Sequence, residues 1–164
     1  MASDLHVIVV LCLTSGLWIA TATCGEQSGD CGATCPTGWT QFGSRCFLFQ
    51  LRPMDWADAE RFCTSLGGNL ASLQTAGEYA FIRQLIYKAA NSHKPTWVGG
   101  YDAAKDGVWL WSDGSKFVFN GWARGEPNNS AGGEACMEIN LFGRDFVNDA
   151  KCRLRKSFVC ARNP

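Results

Sequence analysis

Five oxygen-bearing side chains fall in two short stretches of the C-terminal third: Glu126, Asn128 and Glu134 in one, Asn148 and Asp149 in the other. Three carboxylates and two amide carbonyls suit a hard divalent cation such as calcium, which takes about six to eight oxygen ligands. Held close without a cation, three negative charges repel one another, so such a cluster either holds a metal or stays apart and solvated. Asp, Glu and Asn are common in loops, and from composition alone the solvated surface is the stronger reading. Catalysis finds less support. Glu126 and Glu134 have the residue types of a glycosidase acid and nucleophile, but a bound calcium would keep both ionised and unable to donate a proton. His93 lies in a polar loop, where a solvated surface histidine is the default. The chain therefore reads as a binding protein and not as an enzyme.

Several elements must bring the two stretches together. After Pro95, Gly, Trp, Asn and Asp become dense and helical periodicity disappears. Short apolar pieces (Trp97-Val98, Val108 to Trp111, Phe117 to Phe119) sit between turns, which is the pattern of loop-rich β structure. Cys136 to Ile139, Asp145 to Val147 and Ser157 to Cys160 read as three further strands. Upstream, residues 35–39 and 44–49 read as two short strands around a turn, closed by a local disulfide. Pro53 suits the first turn of a helix whose face carries Trp56, Ala59, Cys63 and Leu66, and Gly67-Gly68 ends it. Thr75 and Glu78 have the form of a capping box, each side chain satisfying the other's backbone donor. Phe81, Ile82, Leu85, Ile86 and Ala89 give the following helix its apolar stripe. Hairpin, two helices, long loops and strands in that order make an α+β domain.

A chain of 164 residues, 46% of them apolar, can bury one core of ordinary size. Its 15 basic and 15 acidic residues balance, which argues against nucleic acid or an anionic membrane as partner. The apolar run from Leu5 to Ala22, ending in Ala20-Thr21-Ala22, reads as a cleaved secretory signal over residues 1–22, with a membrane anchor as the alternative. Its removal would take Cys12 and leave eight of the nine cysteines, an even set that implies disulfides in an extracellular protein without choosing their pairing. Residues 23–34 are small and polar and read as a tail, so the domain is expected over 35–164.

From Cys35 to Cys160 the ordered motifs resemble the C-type lectin-like family. They are Cys35-Pro-Thr-Gly-Trp39, Cys63, Gly67-Gly-Asn-Leu-Ala-Ser72, Trp97-Val-Gly-Gly100, Trp109-Leu-Trp-Ser-Asp-Gly114, Glu126-Pro-Asn128, Cys136, Asn148-Asp149, Cys152 and Cys160. The resemblance implies two helices packed on small antiparallel sheets beside a long calcium-binding loop region. It also implies the disulfides Cys35 with Cys46, Cys63 with Cys160 and Cys136 with Cys152. Cys24 and Cys31 are left to pair with each other or with another chain, the latter giving a homo-oligomer. Trp97, Gly99, Trp109, Trp111 and Trp122 match scaffold positions and receive no binding role.

In sugar-binding members, the positions of Glu126, Asn128, Glu134, Asn148 and Asp149 hold one calcium ion and hydrogen-bond the sugar hydroxyls that complete its shell. Pro127 is expected to follow a cis peptide, which X-Pro bonds adopt at modest cost. Glu126-Pro-Asn128 is the version associated with mannose-type ligands, whereas Gln-Pro-Asp is associated with galactose. An amide both donates and accepts where a carboxylate only accepts, so the exchange alters which hydroxyls are satisfied. The expected function is thus a secreted, calcium-dependent lectin for mannose-type glycans. Its rival is a calcium-dependent ice-binding protein, as in the type II antifreeze relatives. Two departures stand out. Val147 occupies a position usually held by tryptophan, and Asn128-Asn129-Ser130 is an N-glycosylation acceptor. The family's auxiliary calcium site maps onto Asp102, Asp106, Asn129 and Ala135, and the alanine lacks a side-chain oxygen, so this second site is expected to be weak or absent.

Overall fold

The computed structural model describes residues 34–130 and 132–164. The expected signal over residues 1–22, most of the tail over 23–34, and Cys24 and Cys31 lie outside the described residues.

β1 (Thr40–Phe42) and β2 (Arg45–Met54) form the opening hairpin, with Gln41 opposite Cys46. Pro53 belongs to β2 and not to the helix, correcting the sequence expectation. The strand's pairing is irregular between Gln50 and Met54, and a residue without an N–H is tolerated where a ladder is interrupted. Asp55 starts the helix instead: its extended backbone breaks the strand, and its side chain accepts from Asp58 N at 2.9 Å. α1 (Trp56–Ser65) buries Ala59 and Cys63, as its spacing implies, and ends where Gly67 takes a φ of 76°.

β3 (Asn69–Leu70) leads to α2 (Ala76–Ala90), which Thr75 caps through Glu78 N at 3.0 Å. Only half of the anticipated box forms. The Glu78 carboxylate turns to Gln74 N at 3.1 Å and to Arg45 at 2.6 Å, because a buried carboxylate gains more from a cation than from a neutral donor. Ile82 and Ile86 face the core, while Ala89 is exposed, one turn beyond the last buried residue.

The remaining strands are β4 (Thr96–Tyr101), β5 (Leu110–Trp111), β6 (Cys136–Ile139), β7 (Val147–Ala150) and β8 (Lys156–Arg162). They join β1 and β2 in the order β1-β2-β8-β4-β6-β7, with β3 on β8 and β5 on β4. The β4–β8 pairing is parallel and all others are antiparallel, so one hydrogen-bonded network links the small sheets. Gly99 is required inside β4: a Cβ there would lie 2.5 Å from Leu70 O. Phe117 and Phe119 form no strand; Phe117 stacks on Trp111 at 4.7 Å, and Phe119 meets Trp122 edge-on at 5.9 Å. Aromatic packing, not a ladder, holds that segment. The strand expected over 145–147 is displaced to Val147–Ala150.

Cys35–Cys46, Cys63–Cys160 and Cys136–Cys152 are bonded, with Cα atoms 5.5, 5.3 and 5.1 Å apart. One apolar cluster lies under α2 and includes Phe47, Ile82 and Trp111; another, around α1, includes Ala59, Trp97 and Phe158. Val147 is fully packed in the first, which accounts for an apolar residue there.

Candidate functional site

The two stretches meet because the loop carrying Glu126 is sewn to β7. Ala123 N bonds Val147 O at 3.0 Å, and Glu126 N turns back to Ala123 O at 2.9 Å. The Glu126–Pro127 bond is cis, as the resemblance implied. Beyond it, both Asp149 carboxylate oxygens accept backbone donors of the loop, Asn128 N at 3.1 Å and Asn129 N at 2.6 Å. The far side of the loop closes on itself: Glu134 Oε2 accepts Ser130 N at 2.9 Å, and Glu134 N donates to Asn129 Oδ1 at 3.0 Å. Glu126, Asn128, Glu134 and Asp149 are thereby gathered in one loop-and-strand cluster.

Asn148 enters from the neighbouring position of β7, where it pairs with Glu138 of β6. Its Nδ2 donates to Glu138 Oε1 at 3.1 Å and to Asp149 O. That commits the amide nitrogen inward and leaves Oδ1 as the free acceptor. Glu138 is 1% exposed, and its other oxygen pairs with Lys156 Nζ at 2.8 Å. Lys156 in turn lies 5.1 Å from the Trp97 ring centre. The line Lys156, Glu138, Asn148 escaped the sequence reading. Its one signal was a glutamate in a strand otherwise made of Cys136, Met137 and Ile139.

The electrostatics of the cluster are those of crowded acids. Burial raises Glu126 above the ordinary carboxylate range, and its close approach to Asp149 and the charge of Glu134 push the same way. Asp102 is also raised, first by burial and then by Asp106 and Asp149, against the lowering bond from Gly107. Glu126 Oε2 is buried without a hydrogen-bond partner. An orphaned carboxylate oxygen among like charges fits a cation, which would satisfy the oxygen and cancel the repulsion. Among the described residues, no group of three or more His, Cys, Asp or Glu side chains is arranged to hold a metal by itself. Any ligand set at this cluster would have to include amide oxygens, for which Asn128 and Asn148 are at hand.

The auxiliary positions are occupied differently. Asp102 Oδ2 accepts Gly107 N at 2.8 Å, Asp106 Oδ1 accepts Asn129 Nδ2 at 3.0 Å, and Ala135 contributes its carbonyl to Asp102 N at 3.1 Å. Each acid here already has a protein donor. Trp97 and Trp111 are buried, and Trp109 and Trp122 meet at 4.6 Å, in keeping with scaffold roles. His93, expected on the solvated surface, is half-buried with its ring 5.0 Å from Tyr87.

The family described as "Lectin C-type domain" matches residues 52–162. The chain is 45% identical over 163 residues to the galactose-specific lectin nattectin of Thalassophryne nattereri, covering 99% of each chain. Among solved structures it is similar to the herring type II antifreeze protein, with a TM-score of 0.73 and 32% identity over 79% of this chain and 99% of that one. It also resembles the cow carbohydrate-recognition domain of CD23, determined in the presence of a GlcNAc2Man3 oligosaccharide. There the TM-score is 0.69 and the identity 31%, over 80% of this chain and 97% of that one.

Proposed function

The chain belongs to the lectin C-type domain family, and from that premise we propose that it is a secreted lectin. In this reading it binds carbohydrate through a calcium ion held by Glu126, Asn128, Glu134, Asn148 and Asp149. The observation that carries the reading is the buried, unpartnered Glu126 Oε2 beside Asp149, with the exposed Asn128 two residues on, past the cis Glu126–Pro127 bond. Calcium, when bound, would supply coordination positions for vicinal sugar hydroxyls. The protein's own contribution is orientation. Asp149 holds the loop backbone, Glu138 holds Asn148 by its amide nitrogen and leaves Oδ1 free to accept, and Glu126 and Asn128 offer an acceptor-only group beside a donor-and-acceptor group to a sugar. That order supports a mannose-type preference. Three disulfides support an extracellular location. The engaged acids at Asp102 and Asp106 support one calcium site and not two.

Galactose is the competing ligand, favoured by the name of the 45% identical relative. Ice binding is the other reading, favoured by the likeness to the herring antifreeze protein. A glycan array run with calcium and repeated with chelator tests all three. Calcium-dependent signal on mannose-type glycans is the expected result. Calcium-dependent signal on galactosides alone would move the specificity, and an empty array accompanied by thermal hysteresis would replace sugar with ice. Binding that survives the chelator would remove the metal from the mechanism.

A further inference from the structure

Two grooves meet at Arg155. One, of about 380 Å³, is lined by Arg52, Asp55, Asp58, Arg61, Phe62 and Arg155, among others. Its neighbour, of about 520 Å³, is lined by Leu51, Pro53, Lys94, Arg155 and Lys156. Of the three acids nearby, two are paired with cations, while Asp55 keeps its charge as it caps the helix. Asp58 pairs with Arg61 at 3.4 Å, Asp55 caps α1 through Asp58 N at 2.9 Å, and Glu138 pairs with Lys156 at 2.8 Å. Arg155 gives one guanidinium N–H to Pro53 O at 2.9 Å, a neutral acceptor that leaves its charge uncancelled. Among the described residues, Arg52 and Lys94 have no acidic partner. In a chain whose charges balance, this surplus is a local arrangement. Lys151, Arg153, Arg155 and Lys156 fall within six residues with no acid between them.

The grooves and the acidic loop lie at opposite ends of one strand. Ser157, in the second groove, pairs with Thr96 at the start of β4, whereas Asp102 N bonds Ala135 O just past its end, beside Glu134. Six residues of strand separate the two ends, roughly 16 Å of rise. A ligand in the grooves therefore leaves the loop cluster open.

We propose that the two grooves form a calcium-independent binding site for a sulfated polysaccharide. Guanidinium groups present planar forks of N–H donors that match the oxygens of a sulfate ester; Arg52 and Arg155 supply two of them, and the Lys94 ammonium adds a third unpaired cation. Two grooves sharing Arg155 set cations in succession, which suits anionic groups repeated along a chain better than a single anion. A single-stranded nucleic acid would in addition stack its bases on open aromatic faces. The aromatic ring at hand, Phe62, is half-buried and packs edge-on against Phe158 at 5.4 Å.

The test is retention of the full chain on immobilised heparin in the presence of chelator, so that the calcium site plays no part. Retention at about 0.15 M salt, elution by higher salt and no retention on desulfated heparin are expected. Arg52→Gln with Lys94→Gln removes one cation from each groove and leaves the Lys156–Glu138 pair intact. This variant should bind several-fold more weakly and lower the logarithmic salt slope by about one per cation removed. Glu126→Gln with Asn128→Asp should bind heparin as the unaltered chain does. The proposal is overturned if the unaltered chain flows through at about 0.15 M salt, or if the double variant of the grooves keeps the same elution position. Displacement from heparin by a single-stranded oligonucleotide at lower concentration than by soluble heparin would also overturn it. Identical melting curves for the groove variant and the unaltered chain exclude a trivial loss of fold.

Discussion

Asn148 gives its side-chain nitrogen to Glu138 at 3.1 Å, both residues being at or near full burial. The pairing decides which atom of the amide is left to act as an acceptor, and Lys156 holds the other oxygen of the glutamate at 2.8 Å. Glu138→Ala should therefore weaken calcium binding by roughly tenfold although Glu138 is no member of the ligand set, and Glu138→Gln by less. Calorimetric titration of calcium checks this directly. Unchanged affinity in Glu138→Ala, with the fold intact, would show that Asn148 needs no such support.

The exchange Glu126→Gln with Asn128→Asp reverses the order of acceptor-only and donor-and-acceptor groups while keeping side-chain volume. It is expected to shift selectivity from mannose toward galactose by about tenfold, near 1.4 kcal/mol. Competition by the two monosaccharides against an immobilised glycan measures it. A ranking that does not move would place sugar contact elsewhere.

Acid should act through Glu126, with Asp102 adding in the same sense. Both carboxyls titrate above their ordinary range because burial and neighbouring acids disfavour the charged form. A carboxyl raised on folding stabilises the metal-free protein while it is protonated, and that contribution is lost as pH rises through the raised value. The contribution of these two groups to the metal-free domain should thus fall from acid toward neutral pH, and calcium should offset that loss only where the carboxylates are ionised. Thermal melts with calcium and with chelator, from about pH 4 to 7, should show a calcium-induced rise in Tm that grows with pH. A rise of equal size at both ends contradicts the assignment of these acids.

The disulfides should differ in weight. Cys63–Cys160 closes a separation of 97 residues and Cys35–Cys46 one of 11, so the loop-entropy model assigns about 4.7 and about 2.8 kcal/mol. Replacing both cysteines of the long loop with alanine should cost about 2 kcal/mol more than the same change in the hairpin. Urea denaturation of the two variants gives the comparison, and equal losses would count against a chain-entropy origin.

Much of this was legible in the chain alone. The spacing of Ala59 and Cys63 identified a helix face, Thr75 marked a helix start, and the ordered Cys, Trp and Gly motifs carried the pairing of six cysteines by resemblance. These are local patterns or residue identities, and local sterics and periodicity act before the chain is folded. What only the tertiary structure decided involves partners distant in sequence. Glu78 turned from its helix cap to Arg45, 33 positions away, because a cation is the better partner for a buried carboxylate. Phe117 and Phe119 chose aromatic contacts over a ladder. Asn148 was visible as a ligand candidate, but the atom it presents was set by Glu138 on the adjacent strand and by Lys156 behind it. The two basic grooves likewise combine Arg52, Lys94 and Arg155 from three separated segments. No periodicity links such residues; strand register brings them together, and the desolvation of charge then determines which of them must pair.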